Sequence, residues 1–162
     1  MQNLTRRIVL TQLGLVTLAY SQQGLYALDL PSKDPSHFRH VSQDDPPWVQ
    51  LLAQQLQAYF RGEKVKFTCP IDFRDYPPFF RRVLQETQKI AYGAWRSYGW
   101  LAAAVQAPGA ARAVGQAMAR NRTPVVIPCH RVLRSDGTLG GFSGGLSWKE
   151  RLLALEKAKG GD

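Results

Sequence analysis

The segment SYGWLAAAVQAPGAARAVGQAMARNRTPVVIPCHRV, residues 97–132, decides the fold. Its first part places Tyr98, Leu101, Ala102 and Val105 at helical spacing behind Ser97, which can cap the first turn. Pro108-Gly109 then breaks the chain tightly. A second short helix follows, with Ala110, Ala113, Val114, Ala117 and Met118 on its buried stripe. Two short helices joined by a brief turn predict a helix-turn-helix, whose second member is the one laid on DNA. Its other face carries Ala111, Gly115 and Ala119, with Arg112 beside them. A surface so poor in side chains admits close approach to a groove or to another helix. Gly115 costs about 1 kcal/mol relative to alanine inside a helix, so a packing or contact reason is expected.

Beyond Asn121, Val125-Val126-Ile127 predicts a short buried strand, ended by Pro128, which lacks an N–H and keeps Ile127 extended. Cys129, His130 and Arg131 follow at once. A glycine-rich loop spans 135–146, and a last helix is expected from Ser147, with Ser147 and Glu150 as a capping box. Trp148, Leu152 and Leu155 are its buried side.

Upstream of the segment, Phe80, Val83, Leu84 and Ile90 predict a helix that Gly93 breaks. Further back, Arg7–Leu10, Leu15–Ser21 and Leu25–Leu30 read as an antiparallel meander with turns at Gly14 and Gln22-Gln23-Gly24. Polar residues 31–47 predict a loop. Trp48, Leu51, Leu52, Leu56, Tyr59 and Phe60 predict an amphipathic helix over Pro47–Phe60, ended by Gly62. Val65, Phe67 and Cys69 alternate with polar residues and predict a further strand. The expected fold class is therefore mixed α/β (α+β). A small N-terminal domain over 1–73, an antiparallel sheet plus helix, precedes a mostly helical C-terminal domain over 74–162.

Composition agrees with one domain or two small ones in 162 residues, 44% of them apolar. The net charge is +9, and residues 74–134 hold ten Lys/Arg against Asp75 and Glu86 alone. Such a stretch suits a polyanion partner or a solubilising face. Arg6-Arg7 before an apolar run resembles a signal peptide, but Thr11, Gln12, Gly14 and Thr17 interrupt it. It is too short for a membrane span. A cytoplasmic location, nucleoid-associated in a bacterium, and no membrane partner are expected. Cys69 and Cys129, widely spaced, do not make a disulfide framework. His37-x-x-His40 with distant Cys69 is a poor zinc set, so no metal is expected. The glycines of the late loop fit no nucleotide phosphate loop, and no G-x-S-x-G elbow is present.

Cys129 beside His130 has two readings. A cysteine at a strand end is commonly packed core, whereas a basic, His-rich setting favours the reactive thiolate. His130 needs an orienting acceptor to act as a base. Glu156, on the flank of the last helix's apolar stripe, either reaches inward to His130 or pairs at the surface with Lys149 or Lys159.

Pro128-Cys129-His130-Arg131-Val132 resembles the signature of the O6-alkylguanine-DNA alkyltransferases, also called methylated-DNA–protein-cysteine methyltransferases. Ser97-Tyr98, Ala111 to Gly115, Asn121, Ser143-Gly144-Gly145 and Lys149-Glu150 extend the match from about Phe79 to Glu156, in order and at the family's spacings. The N-terminal part resembles the family's small α/β domain more loosely.

The resemblance implies a ribonuclease H-like N-terminal domain and a winged-helix-like C-terminal one. It implies direct reversal of DNA damage, with the alkyl group of O6-alkylguanine, and O4-alkylthymine as a further candidate, moved once and irreversibly to Cys129. His130 would deprotonate the thiol through a water, with Glu156 fixing the imidazole. Asn121 would brace the turn before the active-site strand. Arg112 would fill the gap left by a flipped guanine. Tyr98 would press on the neighbouring phosphate and help protonate the leaving base. Ala111, Gly115 and Arg131 would join the DNA-binding surface. Pro124, Val132, Gly140, Phe142, Ser143 and Lys149 would line the pocket. No cofactor is implied. The implied partner is double-stranded DNA, bound through its minor groove by a monomer.

Departures from the family pattern are Asn121-Arg122 for Asn-Pro, Ala107-Pro108 for Asn-Pro, and Phe142 for the common Tyr. None removes a reacting group. Pro124 and Gly140 match members that accept bulky O6-benzyl groups. Two competing readings are a lesion-binding module, in which Trp typically replaces the cysteine, and a helix-turn-helix regulator, which leaves the Pro-Cys-His-Arg block unexplained.

Overall fold

Three strands open the chain: β1 (Thr5–Thr11), β2 (Gly14–Ser21) and β3 (Gly24–Asp29), ordered β1-β2-β3 and antiparallel throughout. The computed structural model describes residues 3–32, 44–142 and 144–157. Most of the expected loop over 31–47, with His37 and His40, lies outside the described residues, as do Ser143 and Lys159. The chain divides into two compact units, Met1–Arg74 and Asp75–Asp162.

In the first unit, both hairpin turns have two central residues, pairing Thr11 with Gly14 and Ser21 with Gly24. Gly24 has φ +142, and a Cβ there would lie 2.6 Å from the Pro70 carbonyl oxygen, so only glycine fits. Helix α1 (Pro47–Phe60) starts on two prolines, whose fixed φ suits a first turn. It buries Val49, Leu52, Leu56, Tyr59 and Phe60. Leu51, expected on that stripe, is instead exposed.

The strand expected at Val65–Cys69 does not form. Val65, Phe67 and Cys69 are half-buried between exposed neighbours, as the alternation predicts, but no ladder joins them. The segment leans on α1 through side chains: Phe67 against Tyr59 at 5.7 Å, and Gln55 reaching the Lys66 carbonyl at 3.4 Å. Backbone pairing returns only at Ile71, a single parallel bridge to Leu25. Asp72, fully buried, then takes hydrogen bonds from Ser21 at 2.6 Å and from the Arg74 side chain at 2.8 Å.

The second unit contains α2 (Pro78–Thr87), β4 (Arg96–Ser97), α3 (Tyr98–Ala104), α4 (Ala111–Ala119), β5 (Val132–Leu133) and α5 (Leu146–Glu156). Ser97 caps α3, its Oγ accepting from the Trp100 N–H at 3.0 Å. The helix ends in a Schellman pair, with the Ala107 N–H on the Ala102 carbonyl and the Gln106 N–H on that of Ala103. Gln106, at φ +62, holds the left-handed position that glycine usually takes. This stop turns the chain into α4, which buries Val114, Ala117 and Met118. The helix-turn-helix is thus built by local chemistry.

Two further expectations fail here. Val125–Ile127 is a turn. The Asn121 side chain winds it, donating to the Ile127 carbonyl at 2.9 Å and accepting from the Thr123 N–H at 3.0 Å. Ile127 also donates to the Thr123 carbonyl, and Val125 is held at φ +74, uncommon for a β-branched residue. Ser147 does not cap α5 either: the cap is Gly145 at φ +95, and Ser147 sits within the first turn. Among the described residues no helix is long and apolar enough to cross a membrane.

Candidate active site

Pro128 sets the site. With φ −81 and ψ 67 it centres an inverse γ-turn, and the Cys129 N–H reaches back to the Ile127 carbonyl at 2.8 Å. Cys129, His130 and Arg131 then make one tight 3-10 turn that runs straight into β5. All three are buried, Cys129 to 1% exposure and His130 completely.

The inward reading of Glu156 is the one the structure adopts. Its Oε2 lies 2.6 Å from His130 Nε2. Arg131 donates to the same carboxylate from Nε at 2.8 Å and from its terminal nitrogen at 2.9 Å. The Gly93 N–H adds a contact at 3.2 Å, and the other Arg131 terminal nitrogen donates to the Ile90 carbonyl at 2.7 Å. Burial alone would push the Glu156 carboxyl up, but the hydrogen bonds from His130 and Arg131 outweigh it and hold the pKa at about 2. Burial lowers His130 below its ordinary 6.5; Glu156 opposes that shift, while Arg131 and Lys149 reinforce it. The imidazole is therefore kept neutral, the form able to accept a proton, and Nε2 on the carboxylate fixes its tautomer. Arg131, expected at the DNA surface, is corrected: it is 6% exposed and its guanidinium is engaged on Glu156 and Ile90.

Lys149 is also not aimed at open space. Its side chain is fully buried, and Nζ donates to the Val132 carbonyl at 2.7 Å and the Gly141 carbonyl at 2.9 Å. The Tyr98 hydroxyl is 3.4 Å away. Desolvation lowers the Lys149 pKa to about 8; the Cys129 sulfur opposes that shift and Arg134 reinforces it. Tyr98 is raised by burial and by Cys129. Lys149 thus ties the glycine-rich loop to the strand leaving Cys129, beside the thiol. Val132 is buried, Pro124 is buried in the turn braced by Asn121, and Phe142 and Gly140 are half-buried on the loop.

On α4, Arg112 is exposed, and Ala111 and Gly115 lie half-exposed. A Cβ at Gly115 would meet only the Tyr98 ring, at 4.0 Å. Close helix packing is therefore not what requires glycine there. The other thiol offers no rival site: burial pushes Cys69 up to about 12. The contacts the sequence could not reveal are backbone groups, at Ile90, Gly93, Val132 and Gly141, which carry no residue signature.

Two family models match in tandem. The one described as 6-O-methylguanine DNA methyltransferase, ribonuclease-like domain, covers residues 6–73, and the one described as its DNA binding domain covers residues 78–158. A methylated-DNA–protein-cysteine methyltransferase of Mycolicibacterium paratuberculosis is 42% identical over 151 residues, 93% of this chain and 91% of that one. The constitutive methylated-DNA–protein-cysteine methyltransferase of Bacillus subtilis is 38% identical, over 91% of this chain and 92% of its own. The crystal structure of Mycobacterium tuberculosis OGT in complex with DNA superposes with a TM-score of 0.79 at 38% identity, covering 94% of this chain and 92% of that one. With both halves matched in order and nearly full-length relatives well above 30% identity, the chain belongs to the 6-O-methylguanine DNA methyltransferase family.

Proposed function

We propose that the protein repairs DNA by direct reversal, moving the alkyl group of O6-alkylguanine to Sγ of Cys129. The observation that carries this reading is the 2.6 Å contact between Glu156 and a fully buried His130, next in sequence to a buried Cys129. The thiol proton passes to neutral His130 through a water. The thiolate attacks the alkyl carbon, the carbon–O6 bond breaks, and its electron pair stays on the base. Tyr98 supplies the proton that the leaving guanine takes up, and Lys149, hydrogen-bonded nearby, stabilises the charge this leaves. Direct displacement needs no cofactor.

A stacked base offers no path for in-line attack, so the guanine leaves the helix, at a cost of a few kcal/mol. Exposed Arg112 fills the gap, and the basic second unit offsets the cost through phosphate contacts. Ala111 and Gly115 let α4 lie close in the minor groove. The protein acts as a monomer, in the compartment that holds the DNA.

A thioether is a poor leaving group, so each molecule reacts once. With lesion duplex in excess, restored guanine should plateau at one equivalent per protein; continued conversion would overturn the reading. Free O6-benzylguanine should inactivate the protein. Gly140→Ala should slow that reaction at least about tenfold, an effect of about 1.4 kcal/mol. The position has φ +65, and an added Cβ would stand 2.5 Å from the Tyr98 hydroxyl. An unchanged rate of inactivation by the base would show that Gly140 does not shape the pocket.

A further inference from the structure

The short parallel pair β4–β5 sets Arg96 against Val132 and Ser97 against Leu133. Both chains leave that pair at the same end, so the next residues, Tyr98 and Arg134, emerge side by side. Arg134 is exposed while its backbone is fixed. Its N–H donates to the Thr138 carbonyl at 2.9 Å, and its carbonyl accepts from the Gly137 N–H at 2.8 Å. Asp136, the nearest acid in sequence, has Oδ1 engaged by the Thr138 hydroxyl at 2.7 Å and N–H at 3.0 Å; the Arg134 charge also helps to hold its carboxyl below the ordinary value, behind those two hydrogen bonds. Among the described residues no ion pair includes Arg134.

We infer that Arg134 grips a backbone phosphate of the alkylated strand, beside the nucleotide that enters the site. This rests on the alkyl-transfer reading. A nucleotide drawn out of the stack carries its flanking phosphates to the mouth of its pocket. Tyr98, half-buried with its hydroxyl 3.4 Å from Lys149 Nζ, flanks the site, and a guanidinium next to it offers the forked donor geometry that phosphate accepts best. The charge pattern points the same way. Arg134 acts on both Tyr98 and Lys149, disfavouring the proton on each. Two cations facing one site repel each other, and a phosphate anion on the outer one relieves that repulsion.

The test compares Arg134→Ala and Arg134→Lys with the unaltered protein, using two alkyl donors: a duplex with one O6-methylguanine, across a salt series, and free O6-benzylguanine, which has no phosphate. Arg134→Ala should slow transfer from the duplex about tenfold more than from the free base. The slope of log rate against log salt should fall by about 0.9, the share of one phosphate contact. Arg134→Lys should restore the salt slope, because the charge remains, but only part of the rate, because the fork is lost. Equal losses on both donors would mean that Arg134 only supports the fold, and an unchanged duplex rate would mean that it only faces solvent; either overturns the inference. Duplex affinity measured in a Cys129→Ala background separates this contact from the chemistry. Were the unaltered protein to transfer from neither donor, the alkyl-transfer reading would fall, and the binding slope would still decide for or against Arg134.

Discussion

With alanine in place of Cys129, alkyl transfer stops while lesion-containing duplex is still bound. The reason is chemical and local. Among the described residues of the site the other candidate groups are engaged: His130 has Nε2 on Glu156, and Lys149 directs Nζ at two carbonyls. Cys69, pushed up to about 12, stays protonated near neutral pH. Losing one buried sulfur costs on the order of 1 kcal/mol of packing, too little to unfold the chain. The check is an alkylation assay beside a gel-shift titration. Transfer persisting in Cys129→Ala would move the acceptor elsewhere, with Cys69 the first position to examine.

The second large effect is structural. Glu156→Ala leaves the Arg131 guanidinium and the His130 ring buried without their shared carboxylate. Breaking a buried pair from one side costs roughly 3–5 kcal/mol. In a domain of this size each kcal/mol moves the melting temperature by about 4–8 °C, so a fall of more than about 10 °C is expected. Replacing both partners, as Glu156→Leu with Arg131→Met, should recover part of it, because no uncompensated charge then remains. Transfer should be lost in both variants, since His130 loses its orienting partner in each.

The same cluster predicts the response to acid. His130 and Glu156 are both depressed on folding, so each contributes stability that is complete above its ordinary value. As pH falls, the His130 part begins to go below 6.5. The Glu156 part goes from 4.5 down towards 2. Thermal melts of the unaltered protein should therefore decline in two stages, and Glu156→Gln should lack the lower one. A melting temperature independent of pH down to 4 would contradict the burial of this network.

What was legible in the sequence follows from how local each feature is. Helix α1 could be bounded by its apolar spacing and Gly62, and the start of α3 by the Ser97 cap, because those signals act within one turn; the end of α3, set by Gln106 in a left-handed conformation, carried no glycine to mark it. The two short strands could not. Alternation at Val65–Cys69 and β-branching at Val125–Ile127 describe side-chain placement, while a strand also needs a backbone partner. In the first case none is there, and in the second the Asn121 side chain takes the backbone groups. The capping box failed because Gly145, at φ +95, already starts α5 two residues earlier. Arg131 looked like part of a basic DNA face because charge counts carry no depth. Its burial against Glu156 depends on a helix that begins fifteen residues later in the chain. Glu156 itself stood as one of two open readings, and three dimensions were needed to choose between them.

In the proposed reaction, alkyl transfer ends with the group on Sγ of Cys129. Intact-mass measurement after mixing the protein with duplex DNA bearing one O6-methylguanine tests it most directly. The protein should gain one methylene per molecule, mapped by peptide analysis to Cys129, with no second addition. Tight binding of the lesion with no change in mass, or a gain mapped to any other residue, would contradict it.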